Sequence, residues 1–310
     1  MEETGLYYFD DQKASISRLK ERDSSFYRCD RYRNSASMNE AYVQGYNGTS
    51  RYYSINSKWV TSFYDHYEIN YLYPVWNLWC KNFMCQFPER KTINDVLSVK
   101  YLMVPTSCDT LPELTKGYTQ LFYYNQSVVY ERDVFLPFGF CYDTIITETI
   151  SNALQKDIRE RTMIRAALVA DSIETGLPSI TPEKAASFPT YSAAILALYN
   201  NRRRDTLAFS KFENDYFKGS ISVDKRSLLF LSIPVNKGWS YYIDGEKATP
   251  VVTFKGFTGL ILKKGNHTVE GVFYPYGFIV GSIISLCSIL IITILLLRKT
   301  IIRFFKTRSR

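Results

Sequence analysis

The stretch GFIVGSIISLCSILIITILLL, residues Gly277–Leu297, decides how the rest of the chain is organised. It contains 21 residues and has neither a charged residue nor a proline. A helix of this length measures roughly 30 Å, about the thickness of the hydrocarbon core of a bilayer. Its hydroxyl side chains can return hydrogen bonds to the backbone four residues earlier, so lipid tolerates them. The stretch therefore predicts one transmembrane helix, and the alternative is a buried helix of a soluble core.

The flanks of this helix predict its orientation. Tyr274 and Tyr276 precede it, at the position where aromatic residues of the membrane interface are common. The tail that follows, RKTIIRFFKTRSR (298–310), carries six positive charges and no acidic residue. Because basic residues next to a span stay on the cytoplasmic side, we predict a cytoplasmic tail that fits anionic lipid headgroups. Residues 1–270 are then predicted to be extracytoplasmic, at the cell membrane.

The start of the chain does not explain how such a domain would be exported. The segment MEETGLYYFDD (1–11) is acidic and has neither the basic region nor the apolar region of a signal peptide. We therefore expect the chain to be the C-terminal part of a longer, multi-span protein. The alternative is a cytosolic domain that violates the charge rule.

Composition excludes two classes of protein. With 46% hydrophobic residues the chain can form a substantial core, so it is not globally disordered. The net charge is +8, but the tail supplies six of these charges and only two remain for the other residues. A nearly neutral domain is a poor binder of nucleic acid. We interpret the short run Arg202-Arg203-Arg204 as a solvated turn.

Aromatic residues and cysteines leave alternatives open. The 25 tyrosines are typical of a β-rich fold, or of an outer surface that stacks on sugars. Five cysteines precede the span, so they cannot all pair with one another; Cys80 and Cys85 either close a small disulfide loop or stay free. The cysteine spacing and the presence of only two histidines argue against zinc. The five are Cys29, Cys80, Cys85, Cys108 and Cys141.

The rest of the chain predicts an α+β fold in parts. Residues 1–171 are predicted to form a mixed α/β extracytoplasmic region, with helices over 10–21 and 148–170 and a helix running into a strand over 92–104. Residues 172–204 read as a linker with a short helix near 191–200. Residues 205–274 show repeated strand patterns, with Asp244-Gly245 as a hairpin turn, and predict an antiparallel β-sandwich.

The sequence selects no residue for catalysis. It contains no phosphate-binding glycine loop, metalloprotease motif or nucleophile elbow. Asp65, Asp143 and Glu148 could line a cleft, but nothing distinguishes them from other carboxylates. His267 lies in a predicted turn between strands, where we expect a structural or solvated histidine. We assign no catalytic, cofactor-binding or metal-binding residue.

Several segments resemble one known family. Residues 234–285 contain Gly238-Trp239, a hairpin at Asp244-Gly245, a glycine–histidine turn at 265–267 and Phe273-Tyr274-Pro275 before the span. This order is similar to the C-terminal end of the bacterial YfhO membrane proteins. The chain departs from the family at Arg132, where asparagine is more common. Earlier segments that resemble the family are 23–30, 45–54, 97–104 and 128–140.

The resemblance implies a function and partners. The family resembles multi-span glycosyltransferases of the GT-C type, which use a polyprenyl-phosphate sugar donor and decorate surface polymers such as teichoic acids. Their catalytic acidic residue is expected on a loop between early spans, so this chain alone is expected to be inactive. The implied partners are the lipid bilayer, an upstream transmembrane region or neighbouring subunit, and a cell-surface glycopolymer. The alternative is a membrane-anchored, non-catalytic module that binds a surface glycan or a protein.

Overall fold

The computed structural model describes residues 13–32, 39–53, 55–69, 72–73, 78–79, 83–84, 89–106, 115–124, 127–187 and 192–308. The helices of these residues are α1 (Lys13–Arg22), α2 (Glu40–Gln44), α3 (Lys58–His66), α4 (Lys91–Val96), α5 (Glu148–Ala153), α6 (Lys156–Thr162), α7 (Pro182–Ala186), α8 (Ser192–Arg204) and α9 (Phe278–Arg308).

The strands fall in two groups along the chain. The first group is β1 (Arg28–Arg31), β2 (Arg51–Tyr52), β3 (Leu72–Tyr73), β4 (Leu78–Trp79), β5 (Phe83–Met84), β6 (Val99–Pro105), β7 (Tyr118–Tyr124), β8 (Ser127–Arg132), β9 (Gly139–Tyr142), β10 (Ile145–Thr147) and β11 (Ala167–Val169). The second group is β12 (Ala208–Phe212), β13 (Tyr216–Val223), β14 (Ser227–Pro234), β15 (Trp239–Ile243), β16 (Glu246–Ala248), β17 (Val251–Thr253), β18 (Phe257–Leu262) and β19 (Gly265–Phe273).

Three larger sheets organise the domain. Sheet I has the strand order β1-β6-β8-β7, sheet II has β10-β11-β17-β18-β14-β9, and sheet III has β12-β13-β19-β15-β16. Strands β1 and β6 are parallel, as are β10 and β11, whereas the pairs formed within β12–β19 are antiparallel. The fold is therefore α+β with one apolar C-terminal helix, as the sequence predicts.

Sheet II forms the middle layer, and strand β14 shows why. Its sequence SLLFLSIP is apolar on both faces, as expected of a strand that is covered on two sides. Leu228 and Phe230 pack into one core with α3 and α4, whereas Leu229 and Leu231 pack into a second core with sheet III. In β13, by contrast, buried and exposed residues alternate, because only one face of sheet III is covered.

Three local predictions are confirmed. Asp244 and Gly245 both have positive φ, 55° and 85°, as the predicted hairpin turn between β15 and β16 requires. The change from helix to strand over 92–104 appears as α4 followed by β6. The helix predicted over 10–21 appears as α1, and residues 10–12 lie outside the described residues.

The single helix predicted over 148–170 is wrong. Leu154 and Gln155 have extended backbones (φ/ψ −81°/147° and −61°/152°), which separate α5 from α6. The chain then enters β11, whose three apolar residues are all buried between β10 and β17. A short apolar run buried in the middle of a sheet has no alternation to distinguish it from the end of a helix.

The short helix predicted near 191–200 appears as α8, whereas the arginines at its end differ from expectation. Sheet II combines strands that precede the segment 172–204 with strands that follow it, and the segment itself holds α7 and α8. The run Arg202-Arg203-Arg204 is not a solvated turn, because it ends α8 and the Arg202 residue is only 8% exposed. The chain is thus held to the core at a point where the sequence suggests only a solvated surface.

Helix α9 contains one candidate membrane span, Phe278–Arg298, by length and composition. The hydroxyls of Ser288 and Thr293 donate to the carbonyl oxygens of Ile284 and Ile289, both at 2.8 Å, as predicted for a lipid-exposed helix. Cys29 and Cys141 are buried free thiols. The disulfide considered for Cys80 and Cys85 lies outside the described residues, as does Cys108.

Candidate functional site

A cleft of about 630 Å³ opens between the N-terminal part of the chain and one end of sheet III. One wall comes from β1, α2, the loop 46–50, β2 and α3. The other wall comes from residues 212–214 and 232–236, together with Phe217, Trp239 and Phe273. Because β19 ends at Phe273 and α9 begins at Phe278, this end of sheet III adjoins the candidate membrane helix. The cleft therefore lies at the end of the domain from which the candidate membrane helix begins.

Aromatic side chains line both walls of the cleft. Tyr42 is 89% exposed and Tyr53 is 53% exposed on the N-terminal wall, and Phe212 and Trp239 lie on the opposite wall. Trp239 pairs with Phe273 on β19 and stacks on Tyr241, with ring centroids 6.0 Å apart and an interplanar angle of 16°. Such rings give a ligand apolar faces with polar tips, which suits the faces of sugar rings.

Arg28 joins the two walls. Its guanidinium donates to the Ser232 hydroxyl at 2.9 Å, to the Ser232 carbonyl oxygen at 2.8 Å and to the Leu97 carbonyl oxygen. Burial lowers the pKa of Arg28 to about 10, so it stays charged at neutral pH. Because Ser232 is a buried residue of β14, this contact fixes the N-terminal wall against sheet II.

A buried carboxylate holds the loop that forms the floor of the N-terminal wall. Asp30, which is 1% exposed, accepts hydrogen bonds from the Thr49 amide at 2.9 Å and from the Thr49 hydroxyl at 2.6 Å. Burial raises the pKa of Asp30 to about 6, although both Thr49 hydrogen bonds favour the carboxylate. Next to it, the buried pair Arg31–Glu40 (2.7 Å) fixes the start of α2. These contacts anchor the loop and the start of α2 to buried residues of β1.

Arg51 lies in this wall, on β2, and differs from the surrounding charges. Its guanidinium lies over the Tyr53 ring, 5.2 Å from the ring centroid. Within the described part of the chain it has no carboxylate at ion-pair distance and no hydrogen-bond acceptor. Glu213 on the opposite wall is already paired with Lys211 at 3.0 Å. Among the described residues, the cleft therefore presents a positive charge without a paired counter-charge.

The three carboxylates that the sequence suggests for a cleft, Asp65, Asp143 and Glu148, lie outside this one. Asp143 lies between Arg202 (3.1 Å) and Lys225 (2.8 Å), and Glu148 pairs with Lys255. Asp65 is exposed on α3, and none of the three lines the cleft. Over the described ranges, no group of three or more histidine, cysteine, aspartate or glutamate side chains could hold a metal ion.

His267 has a structural role in the hairpin. Its Nδ1 lies 2.7 Å from the Asp244 carboxylate and its Nε2 lies 2.9 Å from the Lys263 carbonyl oxygen. Both partners can only accept, so the arrangement suits an imidazolium that donates from both nitrogens. The hydrogen bond to Asp244 raises the pKa of His267 and lowers that of Asp244.

We expect His267→Gln to lower the free energy of unfolding more at pH 5.5 than at pH 8.5. A raised histidine pKa contributes stability below its unfolded value of 6.5, and this contribution is lost as pH rises through the folded value. The lowered pKa of Asp244 contributes stability above pH 3.8, and this contribution is lost as pH falls through the folded pKa. Because Asp244 is half exposed, solvent screens the pair and the effect stays under about 1 kcal/mol. Urea unfolding of the full chain in detergent at both pH values measures it; a loss independent of pH would contradict the ion pair.

The sequence alone does not reveal the cleft or its residues. Gly45–Ser54 and Gly238-Trp239 stand out in it only as segments that resemble the family. The available signal was Arg51 placed directly before Tyr52-Tyr53, a basic residue beside two aromatic ones. That signal is weak without the second wall, which comes from a distant part of the chain.

Comparison with known proteins gives two matches. A family model described as "Bacterial membrane protein YfhO" matches residues 4–194 and 189–285. A curated relative, the "Uncharacterized protein YfhO" of Bacillus subtilis (strain 168), is 32% identical over 80 residues, which is 26% of this chain and 9% of that protein. The match thus covers only a small part of the relative's length. No solved structure matches.

Proposed function

Because the chain belongs to the YfhO family of bacterial membrane proteins, we propose that it forms the outer domain and a membrane span of a glycosyltransferase of the GT-C type. In this proposal residues 1–270 lie outside the cell and the basic tail lies in the cytoplasm. Membrane helices outside this chain hold a polyprenyl-phosphate sugar and the catalytic carboxylate. The outer domain binds the acceptor, a cell-surface polymer such as a teichoic acid, and is inactive alone.

The observation that supports this proposal is the position and lining of the cleft. It adjoins the beginning of α9, so a polymer held there lies close to the membrane surface where a lipid-linked sugar would be. Its volume of about 630 Å³ falls within the usual range of ligand sites. Its aromatic rings, exposed amides such as Asn214 and the charge of Arg51 suit a phosphate-bearing glycan.

A second candidate function is a membrane-anchored binding module without chemistry of its own. The same cleft supports it, because the carboxylates Asp143 and Glu148 are engaged in ion pairs outside the cleft. The two candidates differ in one respect: sugar transfer depends on this chain in the first and not in the second.

Binding of a purified teichoic acid to the full chain in nanodiscs tests the proposal. We expect Tyr42→Ala to weaken binding about three- to tenfold, because a stacked ring contributes about 1 kcal/mol. Tyr42 is 89% exposed, so the substitution should not disturb folding. Tyr123→Ala is the matched control, since Tyr123 is 58% exposed on β7 and does not line the cleft.

Equal affinities for wild type, Tyr42→Ala and Tyr123→Ala would contradict a polymer site in the cleft. A sugar-transfer assay then separates the two candidates. Membranes that contain the multi-span part of the protein are supplied with a lipid-linked sugar and the polymer, with and without this chain. Transfer that requires the chain and falls with Tyr42→Ala supports the first candidate; polymer binding without any dependent transfer supports the binding module.

A further inference from the structure

We propose that Arg51 binds a phosphodiester group of the ligand in the cleft and so selects anionic over neutral polymers. This inference rests on the proposed function, since it concerns the same cleft.

Other arginines with buried or half-buried side chains have defined acceptors. Arg31 pairs with Glu40, Arg90 with Glu160 and Arg132 with Asp95, while Arg28 and Arg202 donate mainly to backbone carbonyls. Arg51 is half-buried as well, yet within the described residues its guanidinium lies over the Tyr53 ring and has no carboxylate or carbonyl partner. Arg51 therefore has its guanidinium donors available for a ligand.

A guanidinium in this position is unfavourable until an anion arrives. Burial lowers the pKa of Arg51, and only the nearby tyrosines act in the opposite direction. Taking a charge partly out of water without a counter-charge costs free energy, and a bound oxyanion recovers it through two parallel hydrogen bonds. The Tyr53 ring holds the planar guanidinium in place, so less conformational freedom is lost when it forms two hydrogen bonds with the anion.

The charge and the surroundings select the class of anion. A phosphodiester carries one negative charge, which one guanidinium balances, whereas a phosphomonoester carries between one and two. Tyr42 on the same wall and Trp239 on the opposite wall supply ring surfaces for the organic groups on either side of the phosphate. A phosphodiester near the membrane surface can belong to a surface polymer or to a lipid headgroup.

The experiment measures binding of a glycerol-phosphate teichoic acid to the full chain in nanodiscs of neutral phosphatidylcholine. We expect Arg51→Gln to weaken binding about tenfold or more, because a hydrogen bond to a charged group contributes at least this factor. Arg51→Lys keeps the charge but cannot form two parallel hydrogen bonds with the phosphate, so we expect an intermediate loss of affinity. Arg203→Gln is the matched control, since Arg203 is exposed and lies outside the cleft.

Two further arms identify the source of the phosphate and the basis of the effect. Nanodiscs that contain phosphatidylglycerol compete with the polymer in wild type but not in Arg51→Gln if headgroups occupy the same contact. A neutral dextran of matched length should bind equally to wild type and Arg51→Gln. Circular dichroism of each variant confirms the fold.

The proposal on Arg51 is overturned if Arg51→Gln binds the teichoic acid as tightly as Arg203→Gln does, or if dextran binding falls to the same extent. In the first case a loss in Tyr42→Ala would still support the polymer site, so the failure of Arg51 and the failure of the cleft are distinguishable. A loss in Arg51→Gln that disappears when the polymer carries carboxylates instead of phosphodiesters supports the phosphate assignment.

Discussion

Arg202→Ala is expected to lower the free energy of unfolding by about 3–5 kcal/mol, a large part of the stability of an ordinary domain. Arg202 ends α8, and its guanidinium donates to the carbonyl oxygens of Cys141 (2.8 Å), Ile164 (3.1 Å) and Arg165 (3.0 Å). It also pairs with Asp143 and lies over the Tyr142 ring. Truncation leaves these buried acceptors without a donor, and each unsatisfied group costs about 1–3 kcal/mol.

The neighbouring arginines provide the control. Arg203 and Arg204 are exposed, so Arg203→Ala and Arg204→Ala should each change the free energy of unfolding by less than about 0.5 kcal/mol. Arg202→Lys keeps the charge but cannot reach all of the separate acceptors. Its loss of unfolding free energy should therefore lie between those of Arg202→Ala and Arg203→Ala. Urea unfolding of the full chain in detergent, followed by tryptophan fluorescence, gives the comparison. Equal losses for Arg202→Ala and Arg203→Ala would contradict the buried network.

The sequence alone could not show that Arg202 is buried while Arg203 and Arg204 are exposed. Three consecutive basic residues look alike in a sequence, and the helix that ends there has no strong apolar face. Arg202 is distinguished only by the backbone of β9 and of residues 164–165, about 40 to 60 residues earlier in the chain. The hairpin at Asp244-Gly245 could be predicted because its signal is contained in adjacent residues.

The middle of sheet II and the cleft are also formed by contacts between distant parts of the chain. Strand β11 pairs with β10 and with β17, and the residues it joins, Val169 and Thr253, are far apart in the sequence. The walls of the cleft are joined by Arg28 and Ser232, which are 204 positions apart. The span and the α+β class follow from local hydrophobicity and strand patterns. The cleft follows from contacts that no local pattern contains.

Arg132, the position where the sequence is expected to depart from the family, pairs with the buried carboxylate of Asp95. The Asp95 carboxylate is fully buried and accepts from Arg132 Nε at 2.8 Å and Arg132 Nη2 at 3.1 Å, and from the Tyr199 hydroxyl. Burial raises the pKa of Asp95, and the hydrogen bonds from Arg132 oppose that rise. The pair connects α4 to the end of β8, and Tyr199 adds α8.

We expect Arg132→Asn to lower the free energy of unfolding by about 3–5 kcal/mol at pH 8, because the shorter side chain leaves a buried carboxylate without its cation. The pKa of Asp95 then rises further, and a folded pKa above the unfolded value of 3.8 means that protonation stabilises the folded state. The loss of unfolding free energy relative to wild type should therefore be smaller at pH 5 than at pH 8.

The double variant Arg132→Asn/Asp95→Asn removes the buried charge altogether and should recover much of the unfolding free energy lost at pH 8. Urea unfolding of the full chain at both pH values tests Arg132→Asn, Asp95→Asn and the double variant. Together with wild type, these three variants form a double-mutant cycle. A deficit that is equal at pH 5 and pH 8 and persists in the double variant would show that Arg132 contributes through packing on Tyr118 rather than through its pairing with Asp95.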